Sequence, residues 1–260
     1  VPSPVTTTVQ APGIHVVTVD APPVNALTVQ GWFDLAEAIT AAGRDPECHV
    51  VVLRAAGRGF NAGVDIKEID ASEGYGALIG ANHGCAAAFS AVYDCAVPVV
   101  ATVNGYCLGG GIGLVGNADV VVASDDATFG LPEVDRGALG AATHLARLVP
   151  QHLMRTLYFT AGTVTAQQLH HFGSVYRVVP RPELDEAALD VARAIAAKDT
   201  RVIRKAKEAI NGIDPVNVHT SYRYEQGFTF ELNLAGYSDE HRQEFVATGR
   251  TVGEAKEEKA

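Results

Sequence analysis

Cysteine is scarce in this sequence: Cys48, Cys85, Cys95 and Cys107 are the only four in 260 residues. They form no CxxC pair and show no metal-ligand spacing. In a chain of this length that pattern points to reduced thiols and a cytoplasmic location rather than a disulfide or zinc scaffold. No apolar run approaches the roughly 20 residues that span a bilayer, so no membrane partner is expected. No basic stretch leads into an apolar one near the N-terminus, so no signal peptide is expected either. Val1 to Ala11 reads as a frayed tail. Cations are also in short supply, with 20 Lys and Arg against 30 Asp and Glu and a formal net charge of −10. This balance argues against a nucleic-acid partner, which needs a basic footprint. An anionic ligand would need a local cluster of Lys, Arg or backbone N–H groups set against the global field. Familiar catalytic signatures are missing as well. There is no GxSxG elbow and no HExxH pair. His170 and His171 are adjacent in an expected helix and point to different faces, while His83 and His144 stand alone. No metal is implied.

What is present is ordinary globular composition, with 47% apolar and 19% charged residues, enough for one large domain with a sizeable core. Strands are expected at Ile14 to Asp20, His49 to Arg54, Pro98 to Asn104, Asp119 to Ser124 and Ser174 to Val179. Helices are expected at Thr28 to Ala42, Val64 to Asp70, Ala77 to Cys95, Thr143 to Leu148, Gln151 to Thr160 and Ala166 to Phe172. Beyond about residue 180 the pattern is almost wholly helical, with Leu184 to Ala197, Val202 to Asn211 and Val216 to Leu234. An apolar strand, a glycine turn and a helix recur at 49–70 and 98–116. The chain therefore divides into an α/β core over 1–195, a helical region over 196–250 and a charged, disordered tail over 251–260.

Three segments carry chemistry. Gly57 to Glu68 (GRGFNAGVDIKE) couples glycines to a helix beginning near Val64, so backbone N–H groups and a positive helix end face one small space. Asn104 to Gly113 (NGYCLGGGIG) does the same after a buried strand. Two such donors could converge on one oxygen and hold it as it gains negative charge. Gly111, Gly113 and Gly116 also match GxGxxG. However, Gly105 to Leu108 separate the strand from the glycine run, whereas in a dinucleotide fold the glycines follow directly. In the third segment, Phe129 to Gly137 (FGLPEVDRG), Glu133 is a general acid or base if burial raises its pKa. An exposed loop glutamate is the plainer alternative.

The conjunction of AGVDIKE, NGYCLGGGIG and FGLPE, together with PPVNAL at Pro22 to Leu27 and EFVATGR at Glu244 to Arg250, closely resembles the crotonase (enoyl-CoA hydratase/isomerase) superfamily over about residues 10–248. The resemblance implies an α/β spiral of ββα units with a helical C-terminal trimerisation region, assembled as a homotrimer or a dimer of trimers. It implies an acyl-CoA substrate, with coenzyme A entering as part of that substrate and no tightly bound cofactor. It places oxyanion-hole donors on the N–H groups of Val64 and Gly110 and a catalytic acid/base on Glu133. Coenzyme contacts fall on Ala62, Val64, Asp65, Ile66, Lys67 and Gly110, with Lys67 near the phosphates and Asn25 and Ala26 bordering the adenine. The hydratases of that superfamily carry a second glutamate where this chain has Gly113, which is expected to leave room for a bulky ring. Within the superfamily, the runs GRGFNAGVDIKE and EQGFTFELNLAG (Glu225 to Gly236) resemble hydrolases that open a bicyclic steroid-degradation intermediate at a C–C bond beside a ketone. Arg136 or His144 could hold the first alkoxide of that reaction. The alternative is an enoyl-CoA isomerase or hydratase acting on fatty-acid-like substrates.

Overall fold

Apolar strands whose side chains alternate between two faces build the central sheet of the computed structural model, which describes residues 2–249. Six strands pair in the order β1 (Val5–Ala11), β2 (Ile14–Val19), β3 (Val50–Ala55), β4 (Val99–Val103), β6 (Val120–Ser124) and β9 (Arg177–Val179). The first pair is antiparallel and the rest are parallel. A smaller three-stranded sheet joins β5 (Tyr106–Leu108), β7 (Thr128–Gly130) and β8 (Thr163–Thr165). The bridge of Asn61 to Cys107 extends this second layer by one residue. Strands β4 and β6 are each followed by a short strand of the second layer and then by helix, which is one turn of the spiral.

Period-two alternation sends the strand residues to two cores. Val17, Val51, Leu53, Val99, Ala101 and Val121 face α1 (Val29–Arg44) and α3 (Gly76–Tyr93), with Trp32, Leu35, Ile39, Ala88 and Val92 packed against them. Ile14, Val16, Val50, Val52, Val100 and Val122 face α8 (Leu184–Ala196) through Leu184, Ala187, Ala188 and Ala192. The remaining helices are α2 (Ile66–Asp70), α4 (Gly110–Val115), α5 (Ala142–Ala146), α6 (Gln151–Thr160), α7 (Ala166–Phe172), α9 (Thr200–Ile213), α10 (Val218–Leu234) and α11 (Tyr237–Thr248). A buried ion pair ties α9 to the sheet: Lys207, 4% exposed, reaches both oxygens of Asp119 at 2.7 and 2.8 Å.

Several expectations need correction. The N-terminal segment is not a frayed tail, because β1 forms the sheet edge and is joined to β2 through Pro12 and Gly13, the latter at φ +77°. Its β-branched run Val5-Thr6-Thr7-Thr8-Val9 suits an extended edge strand. Helix α2 begins at Ile66 rather than Val64, with Asp65 capping it through Lys67 N–H at 3.0 Å. The stretch after Pro132 is a 3-10 helix over Pro132–Arg136. The residues between β4 and the glycine run are β5, so that run follows a second strand. The expected disordered tail at 251–260 lies outside the described residues.

Candidate active site

The loop after β3 is held in place by a short hydrogen-bond ladder. Leu27 N–H donates to Gly63 O and Asp65 N–H donates to Leu27 O, each at 2.9 Å. Asn61 clamps the same loop from within: its Nδ2 donates to Asn25 O at 2.6 Å, and its Oδ1 accepts from Gly63 N–H at 2.8 Å. These bonds use the N–H groups on either side of Val64. The Val64 N–H itself has no partner among the described residues.

The second loop follows β5. Leu108 N–H donates to Asn61 O at 2.8 Å and Gly109 N–H to Gly130 O at 3.1 Å, which docks this loop against the first and against β7. Gly109 then turns the chain at φ +57°, a conformation that side chains disfavour. The next N–H, that of Gly110, is the first of α4 and has no intrahelical partner. It has none elsewhere among the described residues. A Cβ added to Gly63 would lie 3.3 Å from the Gly110 nitrogen, and one added to Gly110 would meet the Trp32 ring at 2.6 Å. Gly63 thus lets the two loops approach and Gly110 leaves room for Trp32, and the approach brings two N–H donors, unused among the described residues, to one cavity lined by Gly63, Val64, Gly109 and Gly110.

Glu133, on the first turn of the 3-10 helix, enters the same cavity. Its Oε1 would stand 2.7 Å from a Cβ on Gly109, and its Oε2 is buried without a partner. Burial pushes its pKa from 4.5 to about 8, with the Arg136 charge opposing the rise. Among the described residues it is the only carboxylic acid lining the cavity. Glu225 lies nearby but is engaged by Tyr158 O–H at 2.6 Å and by Ala142 N–H. Cys85 also lines the cavity, and burial pushes its thiol far up, which removes it as a nucleophile. A carboxyl able to take a proton near neutrality, beside two donors able to hold a developing oxyanion, suits enolate chemistry on a carbonyl compound.

The expected site residues divide into two groups. Ala62, Val64, Ile66, Gly110 and Glu133 line the cavity, while Asn25, Ala26, Asp65 and Lys67 do not. Lys67 is exposed on α2. The Asn25 side chain is buried and fully committed within the protein. Its Oδ1 accepts from Ala21 N–H at 2.7 Å, and its Nδ2 donates to Ala56 O and Gly59 O at 2.7 and 2.8 Å.

His144 is outside the cavity, packed edge-on behind Phe89 with ring centroids 5.0 Å apart, and burial holds its pKa at about 3. Nor does Gly113 leave room for a substrate ring. A Cβ there would fall 2.1 Å from the Phe89 ring, which is fixed by Trp32 and Tyr222 at 5.8 and 4.9 Å. The division that confined the site to residues 1–195 is too narrow, because Tyr222, Asn233, Arg242 and Phe245 from α10 and α11 wall the cavity of their own chain. Sequence reasoning also missed Phe89, Asn82 and Arg242. No group of His, Cys, Asp and Glu suited to a metal occurs among the described residues, and no described helix is long and apolar enough to cross a membrane.

Comparison with known proteins accords with this geometry. The sequence profile of the enoyl-CoA hydratase/isomerase family matches residues 10–244. A Rhodococcus jostii protein named (7aS)-7a-methyl-1,5-dioxo-2,3,5,6,7,7a-hexahydro-1H-indene-carboxyl-CoA hydrolase is 76% identical, covering 95% of this chain and 95% of its own length. A Mycobacterium tuberculosis protein of the same name is 71% identical over 94% of this chain and 98% of its own. The crystal structure of an enoyl-CoA hydratase/isomerase from Xanthobacter autotrophicus matches with a TM-score of 0.85 at 25% identity, over 95% of this chain and 94% of that one. The chain belongs to the enoyl-CoA hydratase/isomerase family, the crotonase superfamily.

Proposed function

We propose that the chain is a CoA-thioester hydrolase that opens a ring by hydrolysing a carbon–carbon bond beside a ketone, on a bicyclic dione of the kind named for its Rhodococcus and Mycobacterium relatives. The observation that carries the reading is that, among the described residues, a single carboxyl, Glu133, shares a cavity with the partnerless N–H groups of Val64 and Gly110. One carboxyl can take one proton from one water. Alkene hydration gains from a second carboxyl on that water, and at Gly113 the Phe89 ring fills the place one would need. This disfavours the fatty-acyl hydratase alternative.

In this reading Glu133, in its ionised form, takes a proton from water as the water oxygen bonds to the carbon of ring ketone 1. The carbonyl π pair moves onto oxygen. That alkoxide collapses to a carboxylic acid as the bond to quaternary carbon 7a breaks. The released pair is conjugated through the ring alkene and spreads onto the thioester oxygen, which the Val64 and Gly110 N–H groups hold. Glu133 returns its proton to carbon, and the new acid ionises to a carboxylate. One water is consumed and no oxidant or reductant is involved.

The coenzyme arm would run along Ala62 and Val64 to Lys67, with Lys67 beside its phosphates. Ala26 and the backbone of Asn25 would border the adenine, since the Asn25 amide is already used. A homotrimer or dimer of trimers is supported by apolar side chains left exposed on α9 to α11, among them Ile213 at 80%, Tyr224 at 74% and Leu234 at 69%. A cytoplasmic location is supported by four buried, unpaired cysteines. Mass spectrometry of products from the bicyclic indane-dione carboxyl-CoA, with crotonyl-CoA as control, tests the reading. The expected result is a gain of one water with ring opening and little hydration of crotonyl-CoA. Rapid crotonyl-CoA hydration with the dione untouched would overturn it.

A further inference from the structure

Among the described residues Arg136 is a cation with no direct ion-pair contact, although the Glu133 and Asp135 carboxylates lie near enough to favour its charge. It follows Glu133 by three residues on the 3-10 helix, where residues i and i+3 eclipse, and both side chains line the cavity. Its Nε is buried without a partner, and no carboxylate or carbonyl reaches its guanidinium among the described residues. The other arginines of this region are paired: Arg242 with Asp239 and Asn233, and Arg147 with Asp214. Beneath Arg136 lies the Phe245 ring, 4.1 Å from the guanidinium carbon. The ring fixes the plane of the fork without neutralising its charge. A desolvated charge with no partner is unfavourable, and an arriving anion relieves it. Glu133 is a poor resident anion, since burial keeps it largely protonated at neutral pH.

The proposed reaction makes two anions within reach of that face. Negative charge passes from Glu133 to the alkoxide when water adds, and it ends on the carboxylate that ring opening creates. A planar fork suits both, and a carboxylate best of all. We propose that Arg136 is the anion receptor of the acyl cavity, a catalytic residue whose guanidinium takes the alkoxide and then the new carboxylate of the opened product. The identity of these anions rests on the ring-opening reading. The existence of an anion subsite at Arg136 does not.

Calorimetric titration with adipoyl-CoA and hexanoyl-CoA separates the two, because neither ligand needs turnover. Wild-type protein should bind the carboxylate-ended thioester about tenfold to a hundredfold more tightly. Arg136→Met keeps the length and the contact with Phe245; it should retain hexanoyl-CoA affinity and lose the preference. Arg136→Lys should keep part of it, and decides the matter should the Met variant fold poorly. On the bicyclic dione thioester, Arg136→Met should lower kcat by about 10²-fold or more, with a smaller change in KM. Equal affinities in the wild type, or a preference that survives in Arg136→Met, would overturn the receptor. If the preference holds while the wild type leaves the dione intact, the receptor stands and the ring-opening reading falls.

Discussion

Substituting Glu133→Gln should slow the enzyme and strengthen the fold, the second effect depending on pH. Burial holds the carboxyl protonated up to about pH 8, against 4.5 for the free side chain. Between those values the unfolded chain has released a proton that the folded chain still binds, so this group's stabilising contribution, complete below 4.5, is lost as pH rises through about 8. At pH 7 the loss spans about 2.5 pH units at about 1.36 kcal/mol each, or about 3 kcal/mol. This is an upper value, because the side chain outside Oε2 keeps partial contact with solvent. Glutamine has the shape of the neutral acid and no proton to lose. The variant should therefore match the wild type near pH 4 and exceed it by up to about 3 kcal/mol at pH 7, or about 6–12 °C in Tm for a domain of this size. Urea unfolding of both proteins at matched pH values reads the difference, since other titrating groups cancel. A difference that stays flat from about pH 4 to about pH 8 would refute the desolvated carboxyl. Where the wild-type base is ionised, at about pH 8 and above, the variant's kcat should be lower by about 10²–10⁴-fold, and the gap should narrow as pH falls. Wild-type kcat/KM should climb about tenfold per pH unit and level off above about 8, because the base must be ionised to accept a proton from water.

Gly113→Ala should destabilise the fold by about 1–3 kcal/mol despite alanine's better helix propensity, because its Cβ would stand 2.1 Å from Phe89. Urea unfolding measures this, and Phe89→Leu on the same background should recover part of the loss. Lys207→Met should lose about 3 kcal/mol or more by leaving Asp119 charged and unpaired against the sheet, and Asp119→Asn on that background should restore much of it. Additive losses in the double variant would show that the two side chains are not coupled.

The sheet, the long helices and the three chemical segments were legible because each is written locally. The valine runs Val50 to Val52 and Val120 to Val122 read as buried strands, and Gly109 to Gly111 marks a turn that exposes N–H groups wherever it occurs. Glu133 was legible for the same reason, one residue after a proline that ends β7's layer. What escaped is non-local. Three-residue strands such as β5 and β8 carry no period that a window can detect, and they form because Asn61 and Gly130 lie alongside. Nor does the sequence show that the Asn25 side chain, in its turn at φ +55°, is bonded to three backbone groups of its own chain, which leaves only its backbone for a coenzyme. Helix α11 offers no clear apolar stripe, and no pattern within it reveals that Phe245 will lie under Arg136.

That contact changes the meaning of the C-terminal helices. A region whose only task was assembly would direct its large side chains outward, as Ile213 and Leu234 do. Tyr222, Arg242 and Phe245 instead line a cavity shared with Glu133, whose pKa burial raises, and with Arg136, which has no hydrogen-bond partner among the described residues. Stability alone would not select such a wall, since each of those groups would be better solvated without it. In the proposed reaction the arrangement would become favourable, because a bound acyl group would bring a carbonyl oxygen to the two N–H donors and a nascent anion to the cation. Removing water there strengthens each of these interactions at the moment charge develops. The last two helices thus wall the same cavity that the glycine loops line, and a chain truncated after α9 should lose turnover of the bicyclic dione thioester even where its sheet still forms.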